Sequence, residues 1–272
     1  MIALLTGLAA GMLVFILSSG LTLVLGVMRI TNFAHGGFFL IGAYLSYEFQ
    51  RHQEQPVWLF ALLVIAAGLG TAAVGVIAER LLFRKLYDLS GESMLLGTYA
   101  LLLVLQGGVQ EIWGFDQKTQ PRPEALSTAF RVAGNDIPRY DVALVVVGAA
   151  IFVALQWLTH RTSWGKQVAA VAEDRYMAGL LGIQVSRVYV VCFALGVFLA
   201  GLGGALAAPT LSLTPDVALT FILDAFAVVI IGGFGSIAGS LIASLLIGLL
   251  GSYLAIYVPS LADYSLYLPM VI

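Results

Sequence analysis

The amino-acid sequence predicts an all-α membrane protein, a polytopic bundle of about eight or nine transmembrane segments that includes broken or re-entrant helices. Hydrophobic residues make up 60% of the 272 positions and charged residues only 10%, and the mean hydropathy is +0.99. A soluble domain carries about 25% charged residues. Apolar runs of about 20 residues, the length that crosses the hydrocarbon core of a bilayer, recur along the chain. We therefore expect lipid to solvate most of this protein.

Eight candidate spans follow one another in the sequence. They lie near residues 2–27, 36–50, 57–78, 93–111, 141–159, 188–208, 217–232 and 236–258. The first has no Lys or Arg before Arg29, so it lacks the basic start of a cleavable signal peptide and is predicted to be a retained helix. A ninth begins near Ser265 and is incomplete at Ile272, so we expect the natural chain to continue. No linker separates a soluble domain, and 1–272 is predicted to form one transmembrane domain.

The distribution of Lys and Arg predicts the orientation, because cytoplasmic loops near span ends are enriched in both. The loops at 79–91 and 160–187 are basic and are separated by two spans, so both are predicted to be cytoplasmic. The same count places the N-terminus and the mixed-charge loop at 112–140 outside. The net charge of −2 gives no bias toward nucleic acid. Cys192 is the only cysteine and is expected to be an apolar packing residue.

Glycine is abundant inside the spans, and the span at 188–208 carries a stripe of small residues. Its members are Gly196, Gly201, Gly203 and Gly204. In lipid, small residues at such spacings allow helix backbones to approach closely. The stripe therefore predicts tight helix packing and indicates nothing about a substrate.

The first break in the apolar pattern is Arg29–Gly37, which joins two spans without a loop. Polar backbone at membrane depth is tolerated only where protein or a water-filled cavity satisfies it. Asn32 is expected to cap the following helix, and Gly36 and Gly37 to allow close approach of a backbone or ligand. His35 is the one histidine at membrane depth in this prediction. The alternative is a tight interfacial turn with a capping Asn and a hydrogen-bonded His.

The second break is Gly232–Gly239, about 200 residues later. Interrupted hydrophobic segments in corresponding halves of a transporter point to its substrate path. Asp224 precedes this break within a span, where a carboxylate faces a cavity or pairs with a neighbouring helix or subunit. Asp216 is expected to cap a helix. The candidate pathway residues are Asn32, His35, Gly36, Gly37, Asp224, Gly232, Gly233, Phe234 and Gly235.

A short amphipathic helix is predicted within the loop at 160–187. Acidic residues suit its N-terminus, an apolar stripe follows at helical spacing, and Gly182 is placed to end it. Such a helix can enter a groove of a partner protein, although a plain juxtamembrane helix has the same pattern. The candidate coupling residues are Glu173, Asp174, Met177, Ala178, Gly179, Leu180 and Gly182.

Three stretches together resemble the signature segments of the branched-chain amino acid ABC permease family, in the same order and at similar spacing. They are NFAHGGFFLIGAY (32–44), EDRYMAGLLGI (173–183) and IIGGFGSIAG (230–239). The resemblance implies a multi-pass protein of the bacterial inner membrane, with 173–183 as a coupling helix that docks on a cytoplasmic ATP-binding subunit. The chain departs from the family pattern in the incomplete last helix and in Asp224, where one subtype of the family carries Lys.

The resemblance also implies partners. These are a second permease subunit, homologous or identical, and a periplasmic substrate-binding protein that contacts the loops at 112–140 and 209–216. No cofactor is expected on this chain, since ATP and Mg²⁺ would bind the ATPase subunit and the sequence has no G-x-x-x-x-G-K-[ST] motif. Apolar amino acids are the first cargo candidate, followed by urea, short amides and small carboxylates.

Two other classes of function are alternatives to a permease. A passive channel or secondary carrier would use His35 and Asp224 as relay or selectivity groups, but it leaves the amphipathic cytoplasmic segment unexplained. An intramembrane enzyme has no support from metal-binding or nucleophile motifs such as H-E-x-x-H or G-x-S-x-G.

Overall fold

The computed structural model describes residues 2–51, 56–86, 90–132, 135–266 and 268–271, and helices coincide with all eight candidate spans. In chain order the helices are α1 (Ile2–Met28), α2 (Ala34–Gln50), α3 (Val57–Ala78), α4 (Arg84–Leu86), α5 (Gly91–Trp113), α6 (Glu124–Ser127), α7 (Arg139–Arg161), α8 (Ser163–Glu173), α9 (Arg175–Leu180), α10 (Val185–Ala207), α11 (Val217–Gly232), α12 (Ile237–Tyr257) and α13 (Leu268–Val271). A π-helical turn, Glu79–Phe83, joins α3 to α4.

Six of these helical segments are long and apolar enough to cross a membrane, so the protein is a polytopic helical membrane protein. The count of eight or nine full spans is not confirmed. Helix α2 has only 17 residues and α11 only 16, fewer than the roughly 20 that a bilayer requires. At the ninth candidate, the described residues form a 3₁₀ segment, Pro259–Tyr264, and the four-residue α13. A small antiparallel hairpin, β1 (Ala129–Val132) and β2 (Asn135–Pro138), departs from the all-α prediction in the loop at 112–140.

Two sets of three helices pack in an arrangement that repeats. Helix α1 packs on α11 and α12, as α10 packs on α2 and α3. Within the sets, α2 contacts α3 and α11 contacts α12, while α1 crosses α10 and α2 crosses α11. If α1, α2 and α3 are exchanged with α10, α11 and α12, the same set of helix contacts results. Since α1 and α10 run in opposite directions, the two sets form an inverted repeat of the kind found in membrane transporters.

The inverted repeat shows that the two sequence breaks are not equivalent to each other. The segment at 29–33 joins α1 to α2, and its counterpart is 208–216, which joins α10 to α11. The glycine-rich segment at 232–236 joins α11 to α12 and corresponds to the connection between α2 and α3. The sequence left this correspondence open, because the break at 208–216 contains prolines and polar residues and no glycine.

Small residues bring the two central helices together, as the glycine stripe predicted. Gly20 of α1 and Gly196 of α10 are in contact through their backbones, and a methyl group on Gly20 would overlap the carbonyl oxygen of Gly196. At the other side of α1, hydroxyl pairs join it to the antiparallel α12: Thr22 with Ser240 and Thr6 with Ser252, each pair of Oγ atoms 2.6 Å apart. In lipid, such close packing and hydrogen bonds hold helices together where hydrophobicity does not.

Candidate functional site

The break between α1 and α2 begins with a left-handed residue. Arg29 has φ 54°, an unusual value for a residue with a Cβ, and its N–H donates to Leu25 O at the end of α1. The chain then returns into the bundle over Ile30–Phe33 without a regular helix. Thr98 of α5 holds this segment: its hydroxyl donates to Thr31 O and accepts from the N–H of Phe33, both at 3.2 Å. The polar backbone of the break is thus satisfied by protein, as membrane depth requires.

Helix α2 begins well inside the bundle, away from the end of α1. Its His35 contacts Gly20, which lies eight residues before the end of α1, and a rise of 1.5 Å per residue places that level about 12 Å inside the helix end. His35 is fully buried, and its Nε2 donates to Leu17 O at 3.0 Å. Its Nδ1 has no hydrogen-bond partner within the described part of the chain. The α1–α2 connection therefore returns into the bundle, and the hydrogen bond of His35 agrees with the alternative interpretation of this segment as a turn.

Asn32 is fully buried beside this histidine, but it does not cap α2. Its backbone carbonyl accepts from the N–H of His35 at 3.3 Å, whereas neither polar atom of its side-chain amide has a partner among the described residues. The capping prediction is wrong because Phe33, with φ −68° and ψ −27°, already has helical geometry and occupies the N-cap position. Two amide atoms and one imidazole nitrogen are therefore buried inside the bundle without partners among the described residues.

Gly36 and Gly37 allow α2 to pack closely at this level. A methyl group on Gly36 would overlap Ala218 O of α11, and one on Gly37 would lie 2.9 Å from the side chain of Leu105 in α5. The glycines thus bring helices together around the break, which is one of the two uses that the sequence predicted for them.

Asp224 is separated from this cluster. It lies six residues after Ala218 on α11, a rotation of about 600°, so it points about 120° away from the side of α11 that contacts Gly36. Its neighbours in helical register, Ala227 and Val228, pack with Val14 of α1 and with α12. The side chain is partly buried, and no hydrogen bond or ion pair to it occurs among the described residues.

The glycine turn Gly232–Gly235 lies at the end of the bundle where α1 ends. Gly233 and Gly235 have φ values of 88° and 79°, which glycine adopts without strain. A Cβ on Gly26 would lie 2.6 Å from Cα of Gly235, so the turn packs on the last turn of α1. Phe234 is 70% exposed and lines a cavity of about 470 Å³ together with residues of α7 and α8. The structure does not bring this turn together with His35.

The loop at 160–187, here called the candidate coupling segment, contains two helices, and the sequence predicted one of them. The predicted helix is α9, and Asp174 caps it, since its Oδ1 accepts from the N–H groups of Tyr176 and Met177 at 2.8 and 3.0 Å. Gly182, with φ 83°, follows the helix, and the N–H of Ile183 donates to Ala178 O in the pattern of a glycine C-cap. Glu173 is not in the first turn of α9, because it ends the preceding amphipathic helix α8.

An apolar face of α9 points away from the protein. Tyr176, Met177, Leu180 and Leu181 are between 56% and 81% exposed, whereas Ala178 is buried against the bundle. The same segment contacts the broken helix, because Arg29 Nη2 donates to Ala172 O of α8 at 3.4 Å. The coupling segment and the re-entrant break are thus adjacent at one end of the bundle.

Sequence reasoning missed the contribution of α5 to the site. Besides Thr98, it supplies Gln106, whose Nε2 donates to Asp216 Oδ1 at 3.1 Å. Asp216 occupies the N-cap position of α11, as the sequence predicted, but its side chain makes no capping hydrogen bond to the helix. Helix α5 thus holds both broken segments of the inverted repeat. The available signal was the presence of Thr98 and Gln106 within an otherwise apolar span.

Comparison with known proteins gives one consistent result. The family model of the permease component of branched-chain amino acid transport systems matches residues 3–272. The high-affinity branched-chain amino acid transport system permease protein BraD of Pseudomonas aeruginosa is 26% identical over 257 residues, which cover 90% of this chain and 83% of that protein. The high-affinity branched-chain amino acid transport system permease protein LivH of Escherichia coli K12 is 27% identical over 259 residues, which cover 89% of this chain and 82% of that protein.

A second type of permease protein also matches. LivM of Salmonella typhimurium is 27% identical over 259 residues, which cover 87% of this chain and 60% of that protein. No solved structure matches the chain. Since the family model covers nearly its whole length, this chain belongs to the family of permease components of branched-chain amino acid transport systems.

Proposed function

We propose that this chain is the transmembrane permease subunit of a binding-protein-dependent ABC importer in the bacterial inner membrane. It carries a small solute, branched-chain or other apolar amino acids, and uses ATP that a separate subunit hydrolyses. The names of the relatives BraD and LivH support the cargo and the permease role. The whole chain acts as one transmembrane domain in this proposal, and it needs no cofactor of its own.

The observation that carries the proposal is the exposed apolar face of α9. Four large side chains, Tyr176, Met177, Leu180 and Leu181, project from a capped helix at the end of the bundle. An apolar helix face of this kind is recognised by insertion into a groove of a partner protein. Because Arg29 connects the neighbouring α8 to the break, movement of a docked ATPase would reach α1 and α2 directly.

The proposed pathway follows the broken helices. The inverted repeat supports this, because transporters of that architecture bind their substrates where discontinuous helices meet near the midplane. Asn32 and His35 supply polar atoms at that depth, with Gly36 and Gly37 setting the helix approach. We place Gly232, Gly233, Phe234 and Gly235 at the coupling-side end of the path. Asp224 contributes to the proposed pathway from the face of α11 that is turned toward α12.

The proposed partners occupy the remaining surfaces. A second permease subunit, related or identical, completes the membrane unit, and matches to both LivH and LivM fit a pair of related permeases. A periplasmic binding protein docks on the opposite end of the bundle. Backbone hydrogen bonds between Lys118 and Leu213 join the two loops that it would contact, so they form one surface.

Gly179→Asp tests the proposal at the coupling helix. Gly179 is exposed and a side chain there meets no neighbouring atom, so the variant should fold, whereas a charge at the buried Ala178 would disturb the bundle itself. A carboxylate in an apolar groove is strongly disfavoured. We expect loss of ATP-dependent uptake of labelled leucine and of ATPase co-purification.

The matched control is Gly91→Asp. Gly91 is also exposed and free of close neighbours, and it lies in the first turn of α5, where a negative charge is favoured. This variant should transport like the wild type. Unchanged uptake in Gly179→Asp would favour a channel or secondary carrier and contradict the proposal. Uptake of labelled urea in place of leucine would keep the permease and reassign its cargo.

A further inference from the structure

Four arginines from three separate segments line one pocket at the coupling end of the bundle. They are Arg80 of the π-helical turn, Arg84 of α4, Arg175 of α9 and Arg187 of α10, and the pocket has a volume of about 710 Å³. Among the described residues that line the pocket, the one carboxylate belongs to the buried Glu79. Within the described residues, none of the four arginines forms an ion pair. Among its described lining residues, the pocket therefore has four positive charges against one carboxylate.

The depth of the pocket matches the head-group layer of the membrane. Helix α3, the π-helical turn and α4 form one continuous helical segment of 30 residues, Val57–Leu86. Its exposed Trp58 marks the far interface, where tryptophan is enriched. About 20 residues cover the hydrocarbon core, so the core ends near residue 78. Arg80 and Arg84 follow directly, at the level of lipid phosphates.

An apolar surface leads to the arginines. Leu62, Ile65, Leu69, Ile77 and Leu81 form an exposed stripe along this helix. Arg80 lies between Ile77 and Leu81 in the sequence, so the stripe and the basic pocket are continuous. Acyl chains fit the stripe, while the phosphate of the same molecule fits the pocket. A groove for an acidic protein segment would not need the apolar stripe.

We propose that this pocket binds the phosphate head group of an anionic phospholipid from the leaflet at the coupling end. Basic pockets at the cytoplasmic ends of transmembrane helices bind anionic head groups, and the planar guanidinium forms paired hydrogen bonds with phosphate oxygens. A bound lipid would join the end of α3 to the start of α10 and to Arg175 of the coupling segment. This inference requires only that the protein lies in a membrane, and it stands independently of the cargo and of the ATPase.

The test is native mass spectrometry of the full-length permease with its partner subunits, titrated with phosphatidylglycerol or phosphatidylcholine. The wild type should prefer phosphatidylglycerol. In Arg84→Gln/Arg187→Gln, phosphatidylglycerol should bind about 25-fold more weakly, since each arginine near the surface contributes about fivefold. Phosphatidylcholine binding should not change. Arg161→Gln is the matched control, because it removes a basic residue at the same end of the bundle but outside the pocket, and it should bind like the wild type.

The other outcomes decide against the proposal. Equal binding of the two lipids, or an equal loss in Arg161→Gln, would mean that general charge attraction is sufficient. Competition by inorganic phosphate at the concentrations of the lipid would identify a soluble phosphate ligand. Loss of the ATPase subunit with unchanged lipid preference would identify a protein-docking pocket. If the glutamine pair does not fold, Arg84→Lys/Arg187→Lys keeps the charges but loses the paired hydrogen bonds, and it should still bind phosphatidylglycerol more weakly than the wild type.

Discussion

Asn32 and His35 place unsatisfied polar atoms in the middle of a membrane protein. Both amide atoms of Asn32 and Nδ1 of His35 are buried without partners in the described part of the chain. A buried polar group without a hydrogen bond costs about 1–3 kcal/mol of stability. A purely structural residue at this position would be expected to have partners, as Ser19 does through its bond to Ile16 O. In the proposed pathway, these atoms are the ones that would bind the substrate.

Asn32→Leu distinguishes a structural role of Asn32 from a role in substrate binding, because leucine has a similar size and no polar atoms. We expect the variant to unfold at a higher temperature, with a gain of about 1–3 kcal/mol in the free energy of unfolding. Leucine uptake should lose at least about tenfold in apparent affinity, since a hydrogen bond to a charged group contributes about 1.5–3 kcal/mol and about 1.4 kcal/mol corresponds to tenfold. Thermal melting in detergent and uptake kinetics measure the two effects.

Ser19→Ala is the control, since it removes a satisfied buried hydroxyl and should lower stability slightly while leaving the affinity for leucine unchanged. If Asn32→Leu instead lowers both the melting temperature and the uptake, the amide has a structural role and the pathway assignment of Asn32 is wrong.

At the scale of single elements, the coupling helix depends on its cap. Helix α9 has only six residues, too few to be stable alone in water. Asp174 accepts two of its free backbone N–H groups, and Ala178 anchors it to the bundle. These contacts hold the apolar side chains of α9 in one orientation, which a docking surface requires.

Asp174→Ala should loosen α9 and weaken the permease–ATPase complex. Loss of an N-cap costs about 1 kcal/mol, or about fivefold in the affinity for the ATPase subunit. Asp174→Asn is the matched control, because asparagine caps helices as well as aspartate does. Co-purification at graded salt concentrations measures the difference. An equal loss in both variants would show that the carboxylate charge matters and that the cap does not.

The whole molecule is organised by its inverted repeat. Both halves begin with a long central helix, continue through a broken segment held by α5, and return along a third helix. Because α1 and α12 run antiparallel in close contact, hydroxyl pairs join them near both ends. Because α1 and α12 belong to different halves, these pairs fasten the two halves to each other.

Thr6→Cys/Ser252→Cys, made with Cys192→Ala, tests this packing. The two Oγ atoms are 2.6 Å apart, so the introduced thiols should form a disulfide under mild oxidation, as blocked thiol alkylation would show. Thr6→Cys/Ser240→Cys is the control. Position 240 lies 12 residues from position 252, about 18 Å along α12, and should not react. Cross-linking of the control pair would contradict the antiparallel register.

Membrane residence, the positions of the apolar spans and the end of α9 could be predicted from the sequence alone. These properties depend on residues that are close together in the sequence. The length of an apolar run predicts a span, Asp174 caps α9, and Gly182 ends it. The three signature stretches determined the family in the same way.

Which broken segments are equivalent in the inverted repeat, and which side chains are in contact, depends on the tertiary structure. The pairing of 29–33 with 208–216, the anchoring of both by α5 and the separation of Asp224 from His35 depend on contacts between residues far apart in the sequence. The four-arginine pocket likewise joins three distant segments. Apolar spans of similar composition can pack in many ways, because lipid solvates their faces equally well, and the choice depends on where small residues and hydrogen bonds let particular faces approach.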